Sequence, residues 1–202
     1  MFVTGLVLAA GGSTRLGAPK QLLRYGETTL LGHVLATARV CEFDQLICVI
    51  GGSAGEIRER VDLGGAEVVE NQHFGEGCSS SIAVALSAVD ARADVLVLML
   101  GDQPGVTAET VKTLLAGRAN APLAACAYED GRGHPLAFDR GTFRDLETLH
   151  GDKGVWKLLD RHADQVVDVP VAGRTPRDVD THADHRAILA AQGQATPKYS
   201  VF

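Results

Sequence analysis

The stretch that decides the fold reads Leu8-Ala9-Ala10-Gly11-Gly12-Ser13-Thr14-Arg15-Leu16-Gly17-Ala18-Pro19-Lys20. It follows a continuous apolar run that is typical of a strand buried on both faces of a sheet. Glycines let the backbone turn sharply and approach a ligand, and consecutive N–H groups in such a loop form a concave anion site. Arg15 and Lys20 add positive charges suited to phosphate oxygens. The stretch therefore predicts a nucleoside triphosphate site after the first strand.

Two common phosphate-binding loops do not match this stretch. The spacing Gly12-x4-Gly17 begins like a Walker A loop, but Ala18-Pro19-Lys20 stands where Lys-Ser/Thr is required. No G-x-G-x-x-G follows the strand, so the dinucleotide fingerprint is absent. The alternative to a triphosphate site is a glycine-rich β–α turn with incidental charges.

Length and composition predict one globular domain. The chain has 202 residues, of which 46% are hydrophobic and 22% charged, as expected for a chain with a full core. We expect the domain to occupy residues 1–192, with residues 193–202 as a loose tail because they lack periodicity. The net charge of −6 leaves no electrostatic footprint for nucleic acid or an acidic membrane surface.

Cysteine usage and apolar runs predict a cytoplasmic protein. No C-x-x-C occurs, and the spacing of the cysteines fits no zinc or disulfide framework, so free thiols in a reducing compartment are expected. The first residues lack the basic region of a signal peptide, and no apolar run reaches the length of a membrane span.

Strands alternate with helices along the chain, which predicts an α/β fold. We expect a single-domain three-layer αβα arrangement with a mostly parallel, Rossmann-like sheet. Ligands of such sheets bind outside the carboxyl ends of the strands, where the loop 11–20, Asn71, Asp102 and Asp180 all fall. The strands are predicted at residues 4–10, 45–50, 66–69, 95–100, 123–128, 134–138 and 166–169.

Helix starts and histidines give further local expectations. Thr28 or Thr29 is a possible cap of the helix after the first loop, and the serines at 79–81 can cap the helix that they begin. Thr181-x-x-Asp184 is a capping-box variant at the start of a last helix. We expect a surface position for the histidines that no motif uses, which are His73, His150, His162, His182 and His185.

Carboxylates at two strand or loop ends indicate a metal site. Asp102 follows the most apolar strand in Gly101-Asp102-Gln103-Pro104, and Asp180 closes Asp178-Val179-Asp180. Mg²⁺ binds hard oxygen ligands, typically one or two carboxylates together with phosphate and water. Asp178 competes with Asp180 as the second ligand. Either carboxylate is also explained as a turn or helix-start residue.

The first loop resembles L-A-A-G-x-x-x-R-x-G-x-x-K of the sugar-nucleotide-type nucleotidyltransferases, and most closely the branch that contains molybdenum cofactor cytidylyltransferase. The G-D-Q-P and D-x-D-T motifs of that family are also present in this chain. The resemblance covers roughly residues 5–190. It implies that Asp102 and Asp180 hold one Mg²⁺ and that Arg15, Lys20 and Asp102 form the catalytic set.

The resemblance also implies a nucleotide-binding set. Arg15 and Lys20 would clamp the phosphates, while backbone groups of the loop would reach the phosphates and line the base pocket. The middle stretch Asn71 to Ser81 is similar to the family's N-x-x-x-x-x-G-x-S-S-S. Cys78 stands where the family commonly has Met or Leu, and packing is favoured over a thiol that faces the pocket. The implied nucleotide-binding residues are Ala9, Ala10, Gly11, Gly12, Ser13, Arg15, Lys20, Asn71, Ser79 and Ser80.

The acceptor side is implied by Gly133-His134-Pro135 and Gly151-Asp152-Lys153-Gly154, which look like motifs of the cytidylyltransferase branch. His134, Asp152 and Lys153 would contact the acceptor, although a turn histidine and a solvated loop pair explain them equally simply. The implied reaction joins CTP to a pterin-type phosphate acceptor with release of pyrophosphate, and the finished cofactor would pass to a molybdoenzyme or a delivery partner.

Two other functions remain open from the sequence. One is an NAD(P)H-dependent oxidoreductase of the nicotine blue oxidoreductase type, which resembles members of the same family. Hydride transfer needs no metal, so this function does not explain the paired carboxylates. A non-catalytic cofactor-binding protein on this scaffold would bind the ligand without releasing pyrophosphate. Fold alone does not decide among these functions.

Overall fold

A seven-stranded sheet forms the centre of the computed structural model, which describes residues 1–13 and 16–193. The strands of this sheet are β1 (Val3–Ala9), β4 (Gln45–Ile50), β5 (Glu67–Glu70), β6 (Val95–Leu100), β7 (Leu123–Tyr128), β8 (Gly131–Asp139) and β9 (Val166–Pro170). A two-stranded hairpin stands apart from it, formed by β2 (Arg24–Tyr25) and β3 (Thr28–Thr29).

The strand order is β5-β4-β1-β6-β8-β7-β9. Neighbouring strands run parallel except along β8, which is antiparallel to both β6 and β7. The prediction of a mostly parallel sheet is therefore confirmed. Since β8 runs against its neighbours, its first residues lie at the edge where the parallel strands end.

In the part of the chain that the structure describes, seven α-helices pack around the sheet and its hairpin. They are α1 (Leu30–Val40), α2 (Ala54–Arg60), α3 (Cys78–Leu86), α4 (Ala108–Gly117), α5 (Phe143–Glu147), α6 (Gly154–Arg161) and α7 (His182–Ala191). Among residues 1–13 and 16–193, no helix combines the length and apolar character needed to cross a membrane.

Alternating side chains of β1 separate two core layers. Val3 and Val7 pack into one apolar cluster with side chains of α1, α2 and α4. Leu6 and Leu8 pack into a second cluster with side chains of α3, α5 and α6. Successive strand residues point to opposite faces, so a strand apolar at every position needs helices on both sides. The three-layer αβα prediction is confirmed by this arrangement.

The capping residues predicted from the sequence are confirmed at the starts of α1 and α7. Thr29 accepts a hydrogen bond from the backbone N–H of Gly32 at the start of α1. Thr181 and Asp184 form a capping box at the start of α7. Side-chain hydroxyls that accept from N-terminal N–H groups satisfy donors that the helix cannot pair itself. The last helix then packs its Leu189 against Tyr25 of the hairpin.

Two local expectations are wrong. The serines at 79–81 do not cap α3, whose N-cap residue is Gly77 without a side-chain cap. His185 is buried rather than at the surface, with 1% of its area exposed, and its ring nitrogen lies 2.7 Å from the carbonyl oxygen of Arg24. Burial lowers the pKa of His185. The contact arises because α7 packs on the hairpin, a tertiary relationship that local sequence does not encode.

Part of the predicted tail falls beyond the structure. Residues 194–202 lie outside the described residues, so the expectation of a loose segment at 193–202 and of a domain spanning 1–192 stays a prediction. The four cysteines are all free, as expected, and burial raises the pKa of Cys48 and Cys126 to about 12.

Candidate functional site

A cavity of about 770 Å³ opens at the carboxyl edge of the sheet. Cavities of this size hold small-molecule ligands and occur at this edge in α/β folds. Its walls come from the loop after β1, the turn after β6, the start of β8, the starts of α3 and α6 and the segment before α7. Most of the predicted site residues therefore meet in one place.

The loop after β1 is held in shape by Gln21, a buried residue that sequence reasoning did not single out. Its Nε2 donates to the carbonyl oxygens of Ala9 at 2.7 Å and Gly11 at 2.9 Å. Ser13 has a positive φ of 50°, and its hydroxyl accepts a hydrogen bond from the Lys20 N–H at 2.8 Å. These bonds fold the loop back on itself, which brings Lys20 to the mouth of the cavity.

Lys20 joins the two predicted metal ligands. Its Nζ lies 2.5 Å from Asp102 Oδ2 and 3.1 Å from Asp180 Oδ1. Burial lowers the pKa of Lys20, but the charges and hydrogen bonds of Asp102 and Asp180 outweigh this, and the net pKa is raised. The ammonium therefore stays protonated at neutral pH.

The structure separates the roles of Asp178 and Asp180. Asp178 Oδ1 accepts a hydrogen bond from the side-chain amide of Gln103, which also donates to the carbonyl oxygen of Pro176 at 3.3 Å. Desolvation and the charge of Asp102 raise the pKa of Asp178. Gln103 thus fastens the segment before α7 to the turn after β6. Asp180 is the carboxylate that this attachment brings to Lys20.

The carboxylates suit a hard divalent cation only in part. Across residues 1–13 and 16–193, no cluster of three or more His, Cys, Asp or Glu side chains is arranged to hold a metal ion. Asp102 and Asp180, which converge on one ammonium, are two oxygen donors of the kind that Mg²⁺ takes alongside phosphate oxygens and water. The donor set therefore fits a metal that is shared with a phosphate ligand.

The start of α3 is capped from a distant loop. The backbone N–H of Cys78 donates to Asp152 Oδ1 at 3.1 Å, and the Ser79 hydroxyl donates to the carbonyl oxygen of Gly151 at 2.6 Å. A carboxylate at a helix N-terminus pairs an unsatisfied donor and complements the helix dipole. Asp152 therefore caps α3, a role that was predicted for the serines at 79–81.

Three residues predicted to bind the nucleotide are hydrogen-bonded within the protein and do not line the cavity. Asn71, Ser79 and Ser80 are absent from the cavity lining. Asn71 is fully buried, and its side-chain amide donates to the hydroxyls of Ser80 at 2.9 Å and Ser81 at 3.0 Å. Their polar groups are used within the protein, so these residues shape the start of α3. Ser81 lines the cavity in their place.

The predicted acceptor residues lie in the same cavity as the first loop. His134, Asp152 and Lys153 all line the cavity. His134 packs edge-on against Trp156 of α6, with 5.4 Å between ring centroids. Burial lowers the pKa of His134 to about 4, so the ring is neutral at pH 7. Trp156 also lines the cavity but was not predicted from the sequence, because a tryptophan at helical spacing among leucines is typical of a residue packed in the core.

The predictions for Cys78 and for the residues of the first loop have different outcomes. Cys78 packs against the second apolar cluster, as favoured, but it also lines the cavity, and burial followed by the charges of Asp152 and Asp102 raises the pKa of its thiol to about 11. Arg15, the predicted phosphate clamp, lies outside the described residues. The remaining loop residues predicted to bind nucleotide all line the cavity; they are Ala9, Ala10, Gly11, Gly12, Ser13 and Lys20.

A glycine-rich loop, a lysine and two carboxylates at the carboxyl edge of an αβα sheet define a nucleotide-binding α/β enzyme of the nucleotidyltransferase class. Residues 5–166 match the family model described as MobA-like NTP transferase domain. The chain belongs to this family, whose members bind nucleoside triphosphates.

Individual relatives span nearly the whole chain. Nicotine blue oxidoreductase of Paenarthrobacter nicotinovorans is 32% identical over 190 residues, which cover 89% of this chain and 92% of that protein. The crystal structure of a Mycobacterium tuberculosis Rv0371c homologue from Mycobacterium sp. strain JC1 has a TM-score of 0.87 and 51% identity, covering 94% of this chain and 96% of that one. The manganese complex of Rv0371c from M. tuberculosis H37Rv has a TM-score of 0.86 and 43% identity, covering 95% and 100%.

Proposed function

We propose that the chain is a CTP-dependent cytidylyltransferase that transfers a cytidylyl group to the terminal phosphate of a pterin-type cofactor. The observation that carries the proposal is the convergence of Lys20 with Asp102 and Asp180 beside the glycine-rich loop in a cavity with a second, aromatic wall. One wall suits a triphosphate and the other suits a planar acceptor. The family membership supports nucleotidyl transfer, and the choice of CTP and pterin rests on the motif resemblance.

The loop after β1 would bind the triphosphate. Backbone N–H groups of Gly11, Gly12 and Ser13 are suited to phosphate oxygens, and Ala9 and Ala10 would line the base pocket. Arg15 and Lys20 would neutralise charge that develops on the phosphates as pyrophosphate leaves. The two hydrogen bonds that Gln21 donates to Ala9 and Gly11 would hold this loop in its binding conformation before the ligand binds.

Asp102 and Asp180 would hold a divalent cation, with Mg²⁺ proposed. When bound, Mg²⁺ would supply charge neutralisation at the phosphoryl oxygens. The bond between Gln103 and Asp178 favours Asp180 over Asp178 as the second ligand, because it leaves the Asp178 carboxylate oriented toward Gln103. The crystal structure of the related protein Rv0371c in complex with manganese supports the proposal that this chain binds a divalent ion.

The acceptor would lie against Trp156 and His134. An acceptor phosphate is already ionised near neutral pH, so its oxygen can attack the α-phosphorus without a protein base. Neutral His134 would then serve as a hydrogen-bonding and packing surface rather than a proton acceptor, which agrees with its lowered pKa. Lys153 and the loop that carries it would approach the acceptor from the start of α6.

A second candidate is an NAD(P)H-dependent oxidoreductase, which the 32% identity to nicotine blue oxidoreductase supports. The paired carboxylates argue against it, because hydride transfer to a bound substrate requires no metal ligands. A cofactor-binding protein without catalysis is the third candidate.

The first test is a thermal-shift titration with CTP, GTP, ATP or NADPH, each with and without Mg²⁺. A ligand that binds only the folded state raises the Tm with its concentration. We expect a Mg²⁺-dependent shift with CTP, followed by pyrophosphate release when the reduced pterin cofactor is added. A metal-independent shift with NADPH alone supports the oxidoreductase, and CTP binding without pyrophosphate release supports the binding protein.

The second test is Asp102→Asn, which we expect to lower kcat by about a hundredfold or more while the Tm changes little. Asp164→Asn makes the same change at an exposed carboxylate outside the cavity and serves as the matched control. Near-normal turnover of Asp102→Asn would remove Asp102 from the catalytic set.

A further inference from the structure

The Lys20 ammonium occupies the space between the two carboxylates. Its Nζ contacts Asp102 Oδ2 at 2.5 Å and Asp180 Oδ1 at 3.1 Å. The Lys20 and Asp102 side chains are only 17% and 15% exposed, so water screens this pair weakly. The three residues come from three distant segments of the chain, and the ammonium links those segments.

A divalent ion bound by these oxygens would compete with Lys20. Mg²⁺ lies about 2.1 Å from its oxygen ligands, so a metal on Asp102 and Asp180 would lie within a few ångströms of an ammonium bonded to the same atoms. Two cations at that separation repel strongly in a partly buried site. Lys20 must therefore leave at least one carboxylate when the metal binds.

The triphosphate gives Lys20 an alternative partner. The loop that carries Lys20 is also the loop proposed to bind the phosphates, and Lys20 lines the same cavity as Gly11 and Gly12. Because the described residues hold no cluster of three or more metal-binding side chains, the remaining ligands must come from phosphate and water. The metal site is thus complete only with the nucleotide present.

We propose that Lys20 holds the metal position in the ligand-free protein and moves onto the triphosphate as the metal arrives, so that metal and nucleotide bind as a coupled pair. This proposal rests on the proposed function, in which Asp102 and Asp180 are the metal ligands. Metal alone displaces the ammonium from its carboxylate partners, and nucleotide alone draws the ammonium away from Asp102 with no metal to replace it. Each ligand therefore binds weakly by itself.

The coupling is reciprocal by thermodynamic linkage. If nucleotide raises the affinity for metal, metal raises the affinity for nucleotide by the same factor. We expect a factor of about tenfold or more, within the range common for coupled sites. Removal of the ammonium should strengthen binding of metal alone and reduce the coupling to the part that comes from phosphate ligation of the metal.

The test is a Mn²⁺ titration followed by electron paramagnetic resonance of the free ion, with and without α,β-methylene CTP, which cannot release pyrophosphate. A protein-free titration corrects for Mn²⁺ bound by the nucleotide itself. In the wild-type protein we expect the analogue to tighten Mn²⁺ binding about tenfold. In Lys20→Met we expect Mn²⁺ alone to bind about tenfold more tightly than in the wild type, and the analogue to tighten Mn²⁺ binding by a smaller factor than in the wild type.

Lys157→Met is the matched control, because it makes the same change at an exposed lysine of α6 that lies outside the cavity. It should leave the affinity for Mn²⁺ alone unchanged. The Tm of Lys20→Met should also rise more on addition of Mn²⁺ than that of the wild type, because the metal replaces the lost cation. This second readout keeps the test valid if Lys20→Met is destabilised.

Two outcomes overturn the exchange. One is a Lys20→Met protein that binds Mn²⁺ alone no more tightly than the wild type, and the other is equal Mn²⁺ affinity with and without the analogue. If Asp102→Asn leaves Mn²⁺ binding unchanged, the metal site and the exchange fail together. If the coupling is found but no cytidylyl transfer occurs, the exchange stands and the proposed reaction alone is wrong.

Discussion

The side-chain amide of Gln21 donates a hydrogen bond to the carbonyl oxygen of Ala9 at 2.7 Å, which ties the loop after β1 to the end of its own strand. The same Nε2 donates to the carbonyl oxygen of Gly11 at 2.9 Å. Gln21 is 3% exposed and Ala9 is 5% exposed, so the carbonyl group of Ala9 has little access to water as an alternative partner. A rigid loop of this kind binds phosphate without first having to be ordered.

Gln21→Leu should therefore weaken both stability and nucleotide binding. Leaving the two carbonyl groups without their donor should cost about 2 kcal/mol in the free energy of unfolding, as measured by urea denaturation. The affinity for CTP should fall about tenfold or more in a thermal-shift or calorimetric titration, since the loop loses its order.

Gln45→Leu is the matched control for this loss. Gln45 lies at the start of β4, and its Nε2 donates to the carbonyl oxygen of Ala88 at 2.8 Å, away from the cavity. It should lose stability and keep its CTP affinity. Equal loss of CTP affinity in both variants would show that Gln21 acts only through overall stability.

Asp152→Ala should destabilise the start of α3. The carboxylate accepts from the backbone N–H of Cys78 at 3.1 Å, and loss of a helix cap costs about 1 kcal/mol in the free energy of unfolding. Asp152→Asn should retain most of this stability because an amide oxygen can still accept the bond. A loss of acceptor binding in Asp152→Asn without loss of stability would instead indicate direct contact with the acceptor.

His134 should make stability depend on pH below neutrality. Burial lowers its pKa to about 4 in the folded protein, whereas an unfolded histidine titrates near 6.5. Between these values the unfolded chain binds more protons, so the free energy of unfolding falls as the pH drops from about 6.5 towards 4. The full effect is about 3 kcal/mol.

The measurement is urea denaturation of the wild type and His134→Gln at pH 7 and pH 5. The wild type should lose more stability over this interval than the variant does. His33 and His185 also have pKa values lowered by burial and contribute in the same direction, so the difference between the two proteins isolates His134. An identical loss in both proteins would contradict the assignment.

Trp156 and Phe74 should each contribute to the binding of one substrate, Trp156 to the acceptor and Phe74 to CTP. Trp156 lines the cavity beside His134, and Phe74 lines it beside Gly12, where an added Cβ atom would lie 3.3 Å from the Phe74 ring. Trp156→Leu should raise the KM for the acceptor about tenfold and leave the Kd for CTP unchanged, because it removes aromatic contact area on that wall.

Phe74→Leu should have the converse effect, weakening CTP binding with little change for the acceptor. The two variants thus serve as controls for each other in steady-state assays with one substrate varied at a time. A similar effect of both variants on both substrates would mean that the cavity is not divided between the first loop and α6.

The sequence by itself determined the layered fold and the first loop of the site. A strand with a continuous apolar run, such as residues 5–9 of β1, requires helices on both faces, and the order of strands and helices then dictates a mostly parallel sheet. Lys20, Asp102 and Asp180 were recognisable because they lie in short motifs, which are the glycine-rich loop, Gly101-Asp102-Gln103-Pro104 and Asp178-Val179-Asp180-Thr181. These signals depend on neighbours in the chain, which is why they can be read from it.

Only the tertiary structure decided how the rest of the cavity is built. The reversed direction of β8 carries His134 to the edge where β6 delivers Asp102, and no local pattern encodes that pairing. Asn71 and the serines after it turned out to bond within the protein, while Asp152 caps α3 from a loop more than seventy residues away. Such contacts depend on how packed layers bring distant segments together, so their physical cause lies in the whole fold and not in any one stretch.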